Sequence, residues 1–188
     1  IEAMLAMAAT IAVVYPHMNG IGGDGFWTIR EPGGRVRVIE ACGFAGARAT
    51  ISSYRDAGHD IIPRRGALAA LTVPGAVGGW MLAQDFARAL GGKLPARMLL
   101  HDAIERARGY RQSKSEARYK HRESETLYSA PGFAPTFFVD GKIPAAGAAR
   151  RNDRLGDTLA HLADAGFADF YRGDVAREIA ADLERDRK

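Results

Sequence analysis

The sequence has little cysteine: Cys42 is alone in 188 residues, so no internal disulfide can form and no cysteine-rich metal site can be built. The cellular compartment is left open by this. Long hydrophobic runs are also missing. No stretch reaches the roughly 18 consecutive apolar residues of a helical membrane span. The most apolar stretch, residues 4–15, is rich in alanine and reads as a buried helix. No basic segment precedes it, and Pro16-His17-Met18-Asn19-Gly20 after it is not a small-residue cleavage site, so a signal peptide is not indicated. Charge of one sign is scarce too. The 26 Lys and Arg against 22 Asp and Glu leave +4, which is no nucleic-acid footprint. The densest basic stretch, residues 106–122, is interrupted by Glu116 and followed by Glu123 and Glu125. It reads as a solvated helical face.

No two of His17, His59, His101, His121 and His161 have the i, i+4 spacing of a helical metal site, and all five are read as structural or surface residues. No Gly-x-Ser-x-Gly nucleophile elbow occurs. What remains, at 47% hydrophobic and 26% charged, is an ordinary globular composition, and 188 residues suffice for one domain with a sizeable core. Residues 1–188 are taken as a single domain. Ile1 stands where a methionine would begin a protein, with a helix already under way, which points to a fragment.

The punctuation is strong. A helix over residues 2–15 ends near Pro16, and a glycine loop follows, Gly20-Ile21-Gly22-Gly23-Asp24-Gly25. Residues 26–30 suit a strand, Glu31-Pro32-Gly33-Gly34 a turn, and Val36, Val38 and Ile39 a second strand, giving a β-hairpin. Val73-Pro74-Gly75 opens a helix carried by Val77, Trp80, Met81, Leu82, Phe86 and Leu90, and Gly91-Gly92 ends it. Trp27 and Trp80 read as core residues. Pro95 opens the next helix, with Met98, Leu99, Ala103, Ile104 and Ala107 on one face and a stop at Gly109. Residues 112–129 read as a polar helix, residues 136–139 as a short strand closed by Asp140-Gly141, and Leu155, Leu159, Leu162 and Ala163 as a helix capped by Gly166. A last helix runs over residues 173–183 with Asp174 as N-cap. The class is α+β, helix-rich, with a few antiparallel strands that another chain would complete.

Gly20, Gly22 and Gly25 match the glycines of the dinucleotide fingerprint, and Glu40 lies about where its ribose-binding acid would stand. That fingerprint needs a strand before it and a helix after it, so that the helix N-terminus holds the pyrophosphate. Here the order is reversed. The glycines read instead as a tight helix-to-strand corner. Cys42, just after the second strand, reads as a buried, inert thiol.

Four segments in order resemble the gamma-glutamyltranspeptidase family: residues 15–26 (Tyr15 to Phe26, through the glycine loop), residues 71–80 (with Val73-Pro74-Gly75), residues 94–107 (Leu94-Pro95 to Ala103-Ile104-Glu105-Arg106-Ala107) and residues 170–176 (Phe170-Tyr171-Arg172-Gly173-Asp174-Val175-Ala176). The resemblance implies part of the four-layer αββα sandwich of the N-terminal-nucleophile hydrolases. It implies a precursor that cleaves itself into a large and a small subunit. The small subunit's new N-terminal threonine is the nucleophile and its own α-amine can serve as base. It implies no cofactor, no metal, no nucleic-acid partner and a small-molecule amide substrate. None of Thr10, Thr28, Thr50, Thr72, Thr126, Thr136 and Thr158 lies in the family's Thr-Thr-His-like context, so no catalytic residue is expected in this chain. The partner expected is the small subunit from the same precursor.

In the family an arginine just after the hairpin's second strand grips the α-carboxylate of the glutamyl group. Matching this chain to it places that role at Cys42, Gly43 and Phe44, none of which is arginine, while Arg48 lies further along. The resemblance therefore implies either a different carboxylate partner or a substrate that is not a standard γ-glutamyl compound. An acylase of another amide and a catalytically silent binding protein are the alternatives.

Overall fold

The computed structural model describes residues 1–69 and 72–185. In order, these residues form α1 (Glu2–Val14), β1 (Gly25–Arg30), β2 (Val36–Ala41), α2 (Ile51–Asp56), a short 3-10 turn at Ala67–Ala69, α3 (Ala76–Ala89), α4 (Ala96–Arg108) and β3 (Tyr110–Arg111). Then come α5 (Lys114–Leu127), α6 (Phe133–Phe137), β4 (Ala149–Arg150), α7 (Asp153–Ala165), α8 (Asp169–Arg172) and α9 (Asp174–Arg185).

The core is a stack of α1, α4 and α7. Leu5, Ala9, Ala12 and Val13 of α1 meet Leu99, Leu100, Ala103 and Ala107 of α4, and Leu159 and Leu162 close it from α7. The alanines let the helix axes approach closely. α1 and α4 run parallel: the Glu2 carboxylate accepts from the Leu94 N–H at 2.7 Å near one end, and the Thr10 hydroxyl donates to Asp102 at 2.9 Å further along. The other side of α1, with Met4, Met7 and Ile11, is uncovered in this chain.

β1 and β2 form the expected hairpin. Its register sets Gly25, Trp27 and Ile29 opposite Ala41, Ile39 and Arg37, and this face packs on α3. Trp27 and Ile29 are buried, as is Trp80 of α3. The opposite face carries Phe26 and Val38, 70% and 68% exposed. A two-stranded sheet with one apolar face open is marginal by itself. Among the described residues the sheet layers of a sandwich are represented by this hairpin and by the two-residue β3–β4 ladder.

Several expectations need correction. Residues 136–139 are not a strand. Phe133–Phe137 is a helical turn in which the i, i+4 rings of Phe133 and Phe137 lie 5.2 Å apart, and only Val139 pairs, with Lys142. Among the described residues no partner strand stands beside those aromatics, so local ring packing prevails over β propensity. The Asp140-Gly141 turn is present, with both residues at positive φ. The basic stretch is not all solvated: Glu116 and Lys120 are buried as an ion pair. Asp174 is the first residue of α9 rather than its cap. The cap comes from Asp169, whose carboxylate accepts from the Asp174 and Val175 N–H groups at 3.2 and 3.0 Å. Helix α2 and the β3–β4 pair carry no strong periodic signal and were not expected.

Candidate functional site

Three of the four family-like segments converge at one corner, together with the end of β2. α1 stops at Tyr15 because Pro16 cannot continue it. The chain then turns, with the Met18 and Asn19 N–H groups both donating to the Tyr15 carbonyl at 3.1 Å. The glycine loop closes on the start of α3: the Gly23 carbonyl accepts from the Gly75 and Ala76 N–H groups at 2.9 and 2.8 Å. A third amide of that helix start, Gly78, donates to the Tyr171 hydroxyl at 2.7 Å. These are the amides that a phosphate would need. They are engaged by the chain itself, and the glycine loop leads into β1, not a helix, as the corner reading required.

Tyr171 arrives from the Phe-Tyr-Arg-Gly segment on α8. Its hydroxyl also donates to the Pro74 carbonyl at 2.8 Å, so one oxygen ties both sides of the Pro-Gly turn. Burial pushes the pKa of this phenol up, so it stays a neutral donor.

The end of β2 is held against the Val-Pro-Gly segment backbone to backbone. A Cβ at Gly43 would overlap the Val73 carbonyl, and one at Gly75 would overlap the Ala41 carbonyl, so neither position tolerates a side chain. The Val73 N–H donates to the Phe44 carbonyl at 3.0 Å, and Ala45 bridges to Thr72. Asp24, the one charged residue in the glycine loop, accepts from the Gly43 N–H across a long 3.4 Å.

Of the three residues placed at the family's carboxylate position, Gly43 is this wedge and Cys42 and Phe44 are its open flanks. Phe44 is 90% exposed. Cys42 is exposed as well, not buried as expected, because β2 ends one residue earlier, at Ala41. Desolvation, then the Asp24 and Glu40 carboxylates, push the Cys42 thiol up, away from a reactive thiolate. The charges at this mouth are therefore acidic.

A second group, His161, Asp169 and Asp174, brings one ligand atom from each within 4.8 Å. Its carboxylates already have work: Asp169 caps α9, and Asp174 pairs with Arg177. The His161 Nε2 lies 3.1 Å from Asp169. The group serves as a helix cap. Sequence reading missed both Asp169 and the Tyr171 hydroxyl bridge. Asp24, a charge among glycines, was the one local signal at the corner that could have been followed.

The family model described as Gamma-glutamyltranspeptidase matches residues 1–187. The chain is 48% identical over 182 residues to the oxamate amidohydrolase proenzyme of Klebsiella pneumoniae, covering 96% of this chain and 34% of that protein. It is 36% identical over 190 residues to the glutathione hydrolase-like YwrD proenzyme of Bacillus subtilis, covering 97% and 34%. The solved gamma-glutamyltranspeptidase of Pseudomonas nitroreducens, complexed with L-DON, superposes with a TM-score of 0.85 at 30% identity, covering 98% of this chain and 53% of that one. This chain thus spans about a third of the length of the curated relatives it matches. Its helix-rich α+β architecture is part of the N-terminal-nucleophile hydrolase fold. On its sequence and its fold alike, the chain belongs to the gamma-glutamyltranspeptidase family.

Proposed function

We propose that this chain is the large-subunit portion, one domain over residues 1–188, of a self-cleaving precursor, and that the precursor hydrolyses a small amide other than a γ-glutamyl compound. The nucleophile is the N-terminal threonine of a small subunit encoded downstream, and this portion alone turns over nothing. The threonine hydroxyl attacks the amide carbonyl while its α-amine takes the proton and passes it to the leaving amine. Water then releases the acyl group as a carboxylic acid. Backbone N–H groups hold the oxyanion. The corner at Cys42, Gly43 and Phe44 forms part of the substrate wall.

The observation that carries the substrate reading is the chemistry of that wall. A γ-glutamyl group holds its α-carboxylate three carbons from the scissile carbonyl, and a guanidinium is the natural partner for it. Here Cys42 and Phe44 offer none, and Asp24 and Glu40 would repel the anion. In oxamate the carboxylate is bonded directly to the amide carbonyl, so no distant carboxylate pocket is needed. The relative at 48% identity bears the name of an oxamate amidohydrolase. The outer hairpin face with Phe26 and Val38, and the absence among the described residues of a third strand beside β1 and β2, favour a small subunit that covers this side.

The test uses the full-length protein. Intact mass after expression is expected to give two polypeptides that sum to the precursor. Ammonia release from oxamate is expected to saturate, with little release of p-nitroaniline from the γ-glutamyl anilide. Efficient anilide turnover without oxamate turnover would return the protein to glutathione-type chemistry. A single uncut polypeptide inert to both would make it a silent binding protein.

A further inference from the structure

One side chain of α5 meets both His17, in the turn that enters the glycine corner, and Arg65, in the chain that follows β2 and α2. The Tyr119 ring lies 5.6 Å from the ring of His17, which itself stands 4.0 Å from Tyr15. The Tyr119 hydroxyl accepts from Arg65 Nη2 at 3.0 Å. Arg65 also pairs with Glu123 at 3.4 Å, one turn along α5, and the Arg122 guanidinium stacks on Tyr119 at 4.7 Å.

What aims Tyr119 is unusual. The buried residues of α5 are Glu116, Ala117 and Lys120, so the helix is docked by charge more than by an apolar stripe. Glu116 and Lys120, 0% and 3% exposed, pair with each other. Tyr110 donates to Glu116 at 3.0 Å, and Lys120 donates to Gln112 at 3.2 Å and lies 4.4 Å over the Phe137 ring. Gln112 in turn donates to the Pro144 carbonyl. Apolar packing tolerates rotation of a helix about its axis. A buried network of directional bonds does not, because each turn of the helix would strand a polar group. Tyr119 sits between the members of the pair, three residues after Glu116 and one before Lys120, so its direction follows from theirs. Burial lowers the pKa of His17, so the ring it meets is neutral at neutral pH.

We propose that Tyr119 is a positioning residue, a clamp through which α5 holds the glycine corner, at His17, and the chain that follows β2, at Arg65, in register around one substrate wall. The proposal rests on the corner being the substrate wall. Its ring serves the first segment and its hydroxyl the second, so the two halves separate by substitution. In the full-length protein, Tyr119→Phe keeps the ring beside His17 and removes the hydroxyl that accepts from Arg65, leaving Arg65 held by Glu123 alone. Trypsin then cuts after Arg64 and Arg65 several-fold faster, while amide exchange at Met18 and Asn19 is unchanged. Tyr119→Ala loosens both, raising exchange at Met18 and Asn19 by roughly tenfold, with the α1–α4 core unaffected. Arg65→Met exposes the cut after Arg64 as Tyr119→Phe does, and this pair of variants decides the hydroxyl half if Tyr119→Ala fails to fold. On oxamate, Tyr119→Ala raises KM by several-fold with kcat nearly kept. Unchanged cutting and exchange, or a uniform rise that includes the α1–α4 core, overturns the clamp, as does a loss confined to kcat. Cutting and exchange do not depend on turnover, so a protein inert to oxamate refutes the substrate reading and leaves the clamp to these two measurements.

Discussion

Replacing Tyr171 with phenylalanine isolates the hydrogen bonds that pin the start of α3 from the packing of the ring that makes them. The phenyl ring keeps its edge contact with Phe170, whose centroid is 5.1 Å away. Two bonds are lost, one from the Gly78 N–H at 2.7 Å and one to the Pro74 carbonyl at 2.8 Å. A typical bond of this kind is worth about 1 kcal/mol net, and stranding a donor away from water adds about 1–3 kcal/mol. Gly78 N–H lies in the first turn of α3, where no intrahelical acceptor exists for it. Together these give a loss of about 3–5 kcal/mol. Urea unfolding of the full-length protein should show it as a lower midpoint with the slope unchanged. Gly78→Ala gives an independent check, because its Cβ would stand 3.1 Å from the same hydroxyl oxygen. The two changes share one partner, so their effects in the double variant should fall short of the sum. A Tyr171→Phe protein within about 0.5 kcal/mol of the parent would refute the assignment, leaving ring packing as the sole role of Tyr171.

Cys42→Arg should restore a guanidinium at the carboxylate position and lower the KM for a γ-glutamyl anilide by about tenfold in the full-length protein, the size of one charge-assisted bond in a partly exposed, acid-flanked site; steady-state kinetics on the anilide check it. Acid should destabilise the fold in two windows. His17 is lowered from 6.5, so the unfolded chain binds its proton first and stability falls as pH drops below that value. Asp169 is lowered from 3.8, chiefly by the Val175 N–H, so its share is present above that pH and is lost as pH falls through the folded value. Thermal unfolding from pH 8 to pH 3 should show both falls, and His17→Phe should remove the first alone.

The long helices α1, α3, α4, α5, α7 and α9, the hairpin and the family could all be read from the chain without its structure. These are local facts. A 3.6-residue apolar period, a proline at a helix start and a glycine pair at a helix end act over a few residues, so they can be read without partners. The order of the four family-like segments was legible for the same reason, as was the reversed context that excluded a nucleotide at the glycine loop. Tertiary structure alone decided which polar groups are buried and what they touch. Glu116 and Lys120 look like any charges on a basic helix until Tyr110, Gln112 and Phe137 close around them. Asp169 caps a helix it does not begin, and Tyr171 bonds to groups 93 and 97 residues away. Residues 136–139 have strand composition, yet a strand exists only where another lies beside it. Cys42 has the composition of a core residue, yet the chain leaves it exposed. Burial and hydrogen-bond partnership are properties of pairs of distant segments, and no single stretch of sequence carries them.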